Sequence, residues 1–270
     1  MIRLSRHRTG TGPRWAAEGR WLNGLDLTDL LSLRRDQIAA RVSEALGDVV
    51  SGEPLLAPVN GDHEIWASGV TYLRSRDARR HESSVADVYE RVYDADRPEL
   101  FFKSPGFRVR GPGEAIRVRR DASWTVPEPE LVLVINAHGE IVGYSAGNDV
   151  SSRDIEGENP LYLPQAKLYD GSCALGPWVA LCAPDKLQKL AIELSIERGG
   201  AEIFRGQTSV AQMKRSLEEL TGYLFRELSF PHGVFLMTGT GIVPPDHFGL
   251  KTGDQVTVRV GTQTLVSPVG

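Results

Sequence analysis

Two apolar runs, Leu131 to Ile135 and Ile141 to Ala146, flank Ala137-His138-Gly139-Glu140. Both outer ends are acidic, with Glu128-Pro129-Glu130 before them and Asn148-Asp149 after. Short apolar runs around a Gly-containing turn predict a β-hairpin. Side chains alternate faces along a strand, so Glu128 and Glu130 point the same way. A turn centred between His138 and Gly139 sets Glu128 opposite Asp149, and directly opposed residues share a face with Cβ atoms about 5 Å apart. Three carboxylates therefore converge on one spot. Like charges that close raise each other's pKa unless a cation sits among them. An all-oxygen set favours a hard divalent ion, Mg²⁺ first, with Mn²⁺ or Ca²⁺ as alternatives. The competing reading is a solvated acidic rim on the hairpin.

These residues also carry a resemblance. The pattern E-x-E-L-x-x-V-I, then G-Y-x-x-G-N-D-V-S-x-R-D, then A-K and G-P-W resembles the fumarylacetoacetate hydrolase superfamily. The resemblance implies that Glu128, Glu130 and Asp149 hold the metal, that Lys167 is the active-site lysine, and that Arg153 is the arginine following the Asp. One branch is more similar still, the 2-keto-3-deoxy-D-arabinonate dehydratases. It shares V-Y-D-A-x-R-P-E-x-F-F-K (Val92 to Lys103), E-N-P-L-Y-L-P-Q (Glu158 to Gln165) and T-G-T-x-I-V-P (Thr238 to Pro244). The match runs from about Trp66 to the C-terminus. It implies a strand-rich mixed β-roll of α+β class and a homodimer.

Around that hairpin the chain divides, by expectation, into a small N-terminal α/β domain of residues 1–60 and a catalytic domain of residues 61–270. In the first, Ile2 to His7 and Trp15 to Glu18 read as strands, and Leu27 to Leu46 reads as one helix from its apolar spacing. In the second, Ile65 to Tyr72 leads in, with Ser68-Gly69 expected as a turn facing the site. Hydrolases of the superfamily carry a water-activating His near here; this chain has Ser75, while His81 falls on a charged, helix-like stretch from Arg74 to Tyr93 and reads as a surface residue. A strand over 97–103 would put Glu99, Phe101 and Lys103 on one face. Further strands are expected at Ala191 to Glu197, Glu202 to Gly206 and Gln255 to Val260, and a helix at Ser209 to Leu228.

Glu99 is the expected proton donor, since the dehydratase branch has Glu there. Ser68, Lys103, Arg153, Gly239 and Thr240 are the expected substrate contacts; a plain turn is the alternative for Thr238-Gly239-Thr240. Gly143-x-Ser145-x-Gly147 fits the nucleophile-elbow motif, but it lies inside the returning strand with no oriented base downstream, so a serine nucleophile is not expected.

The expected activity is metal-dependent dehydration of a 2-keto-3-deoxy sugar acid, a pentonate giving 2,5-dioxopentanoate. Lys167, neutral if its pKa is depressed near the cation, removes a C3 proton, and Glu99 protonates the leaving C4 hydroxyl. The alternatives are hydrolysis of an acylpyruvate-like C–C bond and non-catalytic binding of 2-oxo acids. A net charge of −4 gives no reason to expect nucleic acid or an anionic membrane. No apolar run approaches the ~20 residues a membrane helix needs. The N-terminal residues show no apolar stretch after their basic ones, and two cysteines, Cys173 and Cys182, lack metal-type spacing, so a cytoplasmic protein with reduced thiols is expected.

Overall fold

The computed structural model describes residues 1–76 and 86–270, with backbone alone at 86, 87 and 89. The expectation for His81 lies outside the described residues. The chain is α+β and sheet-rich. Its first 60 residues supply β1 (Ile2–Thr9), β2 (Gly12–Ala17), β3 (Arg20–Leu22), α1 (Leu27–Leu31), α2 (Arg35–Ala45), β4 (Leu46–Val49) and β5 (Leu55–Leu56). Then come β6 (Glu64–Gly69), α3 (Ala86–Asp94), β7 (Glu99–Pro105), β8 (Thr125–Val126), β9 (Pro129–Ile135) and β10 (Ile141–Asp149). They are followed by β11 (Ser151–Ser152), α4 (Arg153–Glu158), α5 (Leu163–Lys167), β12 (Cys173–Leu181), β13 (Ala191–Arg198) and β14 (Ala201–Ser209). The chain ends with α6 (Leu217–Leu224), β15 (Val234–Met237), β16 (Gln255–Val260) and β17 (Gln263–Pro268).

One mixed sheet runs β4-β3-β2-β1-β12-β10-β9-β15-β6-β7, with β5 beside β1. Its β15–β6 pair is parallel and the others are antiparallel. The central strands β9 and β10 are buried along their whole length. Strands covered on both faces read as unbroken apolar runs rather than alternating ones, which is why this hairpin stood out in the sequence. Alternation is still present, between two cores. Leu131, Leu133 and Ile135 join one hydrophobic cluster with Ile192, Leu194, Val256, Val258 and Leu220. Val132 and Val134 join the other with Leu4, Trp15, Leu27, Leu31, Ile38 and Phe235. Each such fully buried side chain contributes roughly 1.5–3 kcal/mol of transfer free energy. The four-stranded sheet β14-β13-β16-β17 and α6 thus cover one face, and the N-terminal elements cover the other. Residues 1–60 also extend the sheet itself, because Ile2 pairs with Leu181 and Leu4 with Val179.

Two helix expectations are corrected. The predicted helix Leu27 to Leu46 is two helices, and Leu46 already belongs to β4. Its break is held by the β9–β10 turn: Ala137 N–H donates to Leu31 O at 2.8 Å, and Asn136 Nδ2 donates to Leu33 O at 2.8 Å. The predicted helix Ser209 to Leu228 is only Leu217–Leu224, capped by Ser216, whose Oγ accepts from Glu219 N–H at 3.0 Å. The missed signal is Ser216-x-x-Glu219, a cap signature. Ser68 and Gly69 lie in β6 rather than in a turn, and the chain bends just after them at Val70, whose φ is +53°.

His63 fastens the N-terminal face to the sheet. Its Nδ1 accepts from Asn60 N–H at 3.0 Å, its Nε2 is 3.3 Å from Thr28 Oγ1, and its ring lies 5.6 Å from Phe235. Burial pushes its pKa down from 6.5 to about 4; Asp62 opposes that shift, and the charges of His232 and Arg6 add to it. Between those two values the unfolded chain binds a proton that the folded chain refuses, so stability rises with pH there. From pH 7 to pH 5 unfolding should become easier by about 2 kcal/mol from this group alone. Urea midpoints of wild type and His63→Gln compared at both pH values check this. An equal pH slope in the two proteins would show that His63 is not the cause.

Candidate active site and metal centre

The hairpin register places the acidic residues. Asn148 pairs with Pro129, Gly147 pairs with Glu130, and Asp149 N–H donates to Glu128 O at 2.9 Å. Glu128, Glu130 and Asp149 are all buried, and each offers a carboxylate oxygen within 4.8 Å of the other two. Three cationic side chains converge on them. Lys167 Nζ lies 2.8 Å from Glu128 Oε2 and 3.0 Å from Asp149 Oδ2. Arg153 donates from Nε to Glu128 Oε1 at 3.2 Å, with a second guanidinium nitrogen 3.0 Å from the same oxygen. Lys103 Nζ lies 2.5 Å from Asp149 Oδ1, and it donates to Lys167 O at 2.6 Å and Val150 O at 3.1 Å.

Local structure explains each placement. Lys167 ends α5, and its carbonyl is fixed by Lys103 and by Ser172 Oγ at 2.7 Å. Arg153 opens α4, with its own N–H donating to Trp124 O at 2.7 Å. The expected face of β7 is found: Glu99 and Phe101 line a cavity, and Lys103 passes beneath it to Asp149.

Glu130 receives the N–H of Gly239 at 2.6 Å. Its pKa is held well above the usual carboxylate range, first by burial and then by the charges of Asp149 and Glu128. Gly239 has φ +90°, and a Cβ there would run into Thr71 Oγ1, so only glycine suits the position. The loop is docked on β9 through Thr238, whose Oγ1 donates to Leu131 O at 3.0 Å.

Ser68, Glu99, Glu128, Asp149, Lys167, Gly239 and Thr240 line the same cavity. Arg153 and Lys103 do not line it; they pair with Glu128 and Asp149. Three residues of the wall escaped the sequence reading or were undervalued by it. Ser75 is buried and faces the cavity. Glu156 also lines it, with Ser151 Oγ donating to Oε2 at 2.6 Å. Its signal was its position one helical turn after Arg153. Val70 joins them with a positive φ, a backbone strain uncommon for a β-branched residue and typical of sites. Ser145, by contrast, is sealed in β10 and donates to Trp178 O at 3.0 Å.

The donor set fits a hard divalent ion. It is all carboxylate and buried, and its mutual repulsion is expressed at Glu130. The fold and this site define an α+β class with a buried carboxylate cluster that could hold a metal ion. The fumarylacetoacetate (FAA) hydrolase C-terminal family matches residues 64–269, and the chain belongs to that family. It is 46% identical over 254 residues to a probable 2-keto-3-deoxyxylonate dehydratase of Haloferax volcanii, covering 90% of this chain and 86% of that one. It is 41% identical over 273 residues to 2-dehydro-3-deoxy-D-arabinonate dehydratase of Saccharolobus solfataricus, covering 91% and 90%. A solved 2-keto-3-deoxy-D-arabinonate dehydratase complexed with magnesium and 2,5-dioxopentanoate superposes with a TM-score of 0.85 at 36% identity, covering all of this chain and 98% of that one.

Proposed function

We propose that this protein is a divalent-metal-dependent hydro-lyase that dehydrates a 2-keto-3-deoxy-pentonate, such as 2-keto-3-deoxy-D-arabinonate, to 2,5-dioxopentanoate. The observation that carries the reading is the convergence of Glu128, Asp149, Lys167 and Glu99 on one cavity, with Glu130 clustered against the first two carboxylates. The magnesium complex of the similar dehydratase supports it. Glu128, Glu130 and Asp149 would hold Mg²⁺, which polarises the substrate's 2-keto group and so loosens its C3 protons. Lys167, as the neutral amine once it has given up its own proton beside the cation, takes one C3 proton. Glu99 gives a proton to the C4 hydroxyl, which leaves as water as the C4–O bond breaks. Tautomerisation of the resulting C3–C4 alkene yields the semialdehyde. Ser68, Gly239 and Thr240 receive the substrate, while Arg153 and Lys103 keep Glu128 and Asp149 oriented. Ser75 at the cavity wall has no basic nitrogen to activate water, which favours elimination over C–C hydrolysis.

The same proposal includes a catalytic unit of residues 61–270, supported by the family match from residue 64, and a smaller unit of residues 1–60. It also includes a homodimer, supported by the exposed Phe107 and Leu161, and a cytoplasmic location, supported by two unpaired cysteines. Among the described residues no helix is long and apolar enough to cross a membrane.

The test is turnover of 2-keto-3-deoxy-D-arabinonate followed by semialdehyde trapping. Chelator should stop it and added Mg²⁺ or Mn²⁺ should restore it. Undiminished turnover in excess chelator, or pyruvate from an acylpyruvate with no semialdehyde, would overturn the reading. A second check uses Gly69, which pairs with Glu99 across β6 and β7. A Cβ at residue 69 would collide with the Glu99 carboxyl group. Gly69→Ala should therefore lower kcat by about 10²-fold through misplacement of Glu99, with the thermal midpoint little changed. Unaltered kcat would mean that the position of Glu99 does not matter.

A further inference from the structure

Lys167 stands where a cation would stand. Each carboxylate of the Glu128–Asp149 pair has one oxygen held from behind, Glu128 Oε1 by Arg153 and Asp149 Oδ1 by Lys103. The other two oxygens, Glu128 Oε2 and Asp149 Oδ2, are bridged by one ammonium, that of Lys167. Lys167 lines the cavity; Arg153 and Lys103 do not. The bridged oxygens are therefore those facing the side from which ion and substrate arrive. Glu128 and Asp149 form with Glu130 the cluster in which each residue offers one carboxylate oxygen within 4.8 Å of the others.

We infer that Lys167 and the divalent cation compete for Glu128 Oε2 and Asp149 Oδ2, so that cation entry moves the Lys167 ammonium off at least one of them and toward the cavity. The competition follows from charge and space. Two positive centres sharing two oxygens in a buried, low-dielectric site repel strongly. The movement open to Lys167 is toward the cavity, because Lys103 and Ser172 fix its carbonyl end. Cation loading and presentation of the side chain to substrate become one event. Lys167 in turn weakens the site's hold on its ion, a reciprocity that any coupling between two binding events must show. The inference rests on the metal reading of the three carboxylates and not on which sugar acid is the substrate.

The experiment is calorimetric titration of Mg²⁺ and of Mn²⁺ into wild type, Lys167→Met and Lys103→Met, without substrate and with folding checked by circular dichroism. Lys167→Met should bind each ion at least about tenfold more tightly than wild type, and Lys103→Met should change affinity much less. Unchanged or weaker binding by Lys167→Met overturns the inference. So does equal tightening in Lys103→Met, which would reduce the effect to net charge. No binding by wild type would remove the metal reading and this inference with it, whereas binding without turnover would leave this inference standing and sink only the dehydratase reading. If either variant misfolds, wild-type crystals with and without Mg²⁺ decide the matter. Nζ should leave hydrogen-bond reach of one or both oxygens when the ion is bound, and retention of both contacts beside a bound ion would overturn the competition.

Discussion

Glu130→Gln loses at least about 10³-fold in turnover, a loss of several kcal/mol of transition-state stabilisation, while the protein stays as stable as wild type or gains stability. Glu130 is the carboxylate of the cluster whose charge the folded chain tolerates least. Burial and the neighbouring carboxylates hold its pKa well above the ordinary range, and Gly239 N–H can donate to an amide oxygen as it does to the acid. Making it permanently neutral relieves repulsion. Glu128→Gln and Asp149→Asn should lose turnover on the same scale for a different reason and with a different stability. Glu128 carries the charge that Arg153 and Lys167 face, and Asp149 the charge that Lys103 and Lys167 face. Neutralising either one leaves buried cations undercompensated, a penalty that approaches the ~3–5 kcal/mol seen when a buried pair loses a partner. Kinetics with saturating Mg²⁺ and urea unfolding of the three variants without added metal test both halves. Retained activity in Glu130→Gln would remove it from the ligand set. A stability order with Glu130→Gln lowest would contradict the charge distribution described above.

The convergence of the three acids was legible because it is local. One hairpin carries all of them, and two runs of consecutive apolar residues mark its strands. The register is right for a reason the residues did not advertise. Ile135 pairs with Ile141, and a bulge then shifts the ladder so that Val134 meets Gly143. Without that bulge Glu128 would face Asn148, and Asp149 would point elsewhere. What lay beyond local pattern was harder to read. Lys103 and Arg153 are ordinary basic residues in sequence; only the sheet order, with β7 at one edge and the α4–α5 segment folded over the open end, brings them behind the carboxylates. The split between α1 and α2 likewise depends on the turn at Asn136, about a hundred residues away, taking the carbonyls that would have continued the helix. Leu31 and Ile38 keep helical phase across the break, so periodicity alone reads through it. The coverage of each face was hidden too, since Val132 and Val134 face the N-terminal elements while Leu131 and Leu133 face the C-terminal sheet.

Lys167 and Glu99 line one cavity but carry separable parts of the proposed elimination, and isotope exchange separates them. Lys167 has to remove the C3 proton before or as the C4–O bond breaks. Lys167→Met should therefore abolish exchange of the substrate's C3 protons with D₂O together with turnover. Glu99 acts only on the departing hydroxyl. Its carboxyl group rests against Gly69 at the end of β6, while Lys167 approaches from α5 and holds the Glu128–Asp149 side. Glu99→Gln leaves those contacts of Lys167 in place, so C3 exchange should survive while water loss falls by ~10²–10⁴-fold, the range expected for a general acid. Proton NMR of the C3 signal in D₂O, followed beside semialdehyde release, reads both quantities in one sample. If exchange stops in Glu99→Gln while Lys167→Met still exchanges, the two roles are reversed. If both variants lose exchange and turnover alike, proton removal and hydroxyl departure occur in one step that needs both groups at once. The third pattern, exchange retained in both with turnover lost, would place the C3 base outside this pair and return attention to Glu156, the remaining carboxylate on the cavity wall beside Glu128, Asp149 and Glu99.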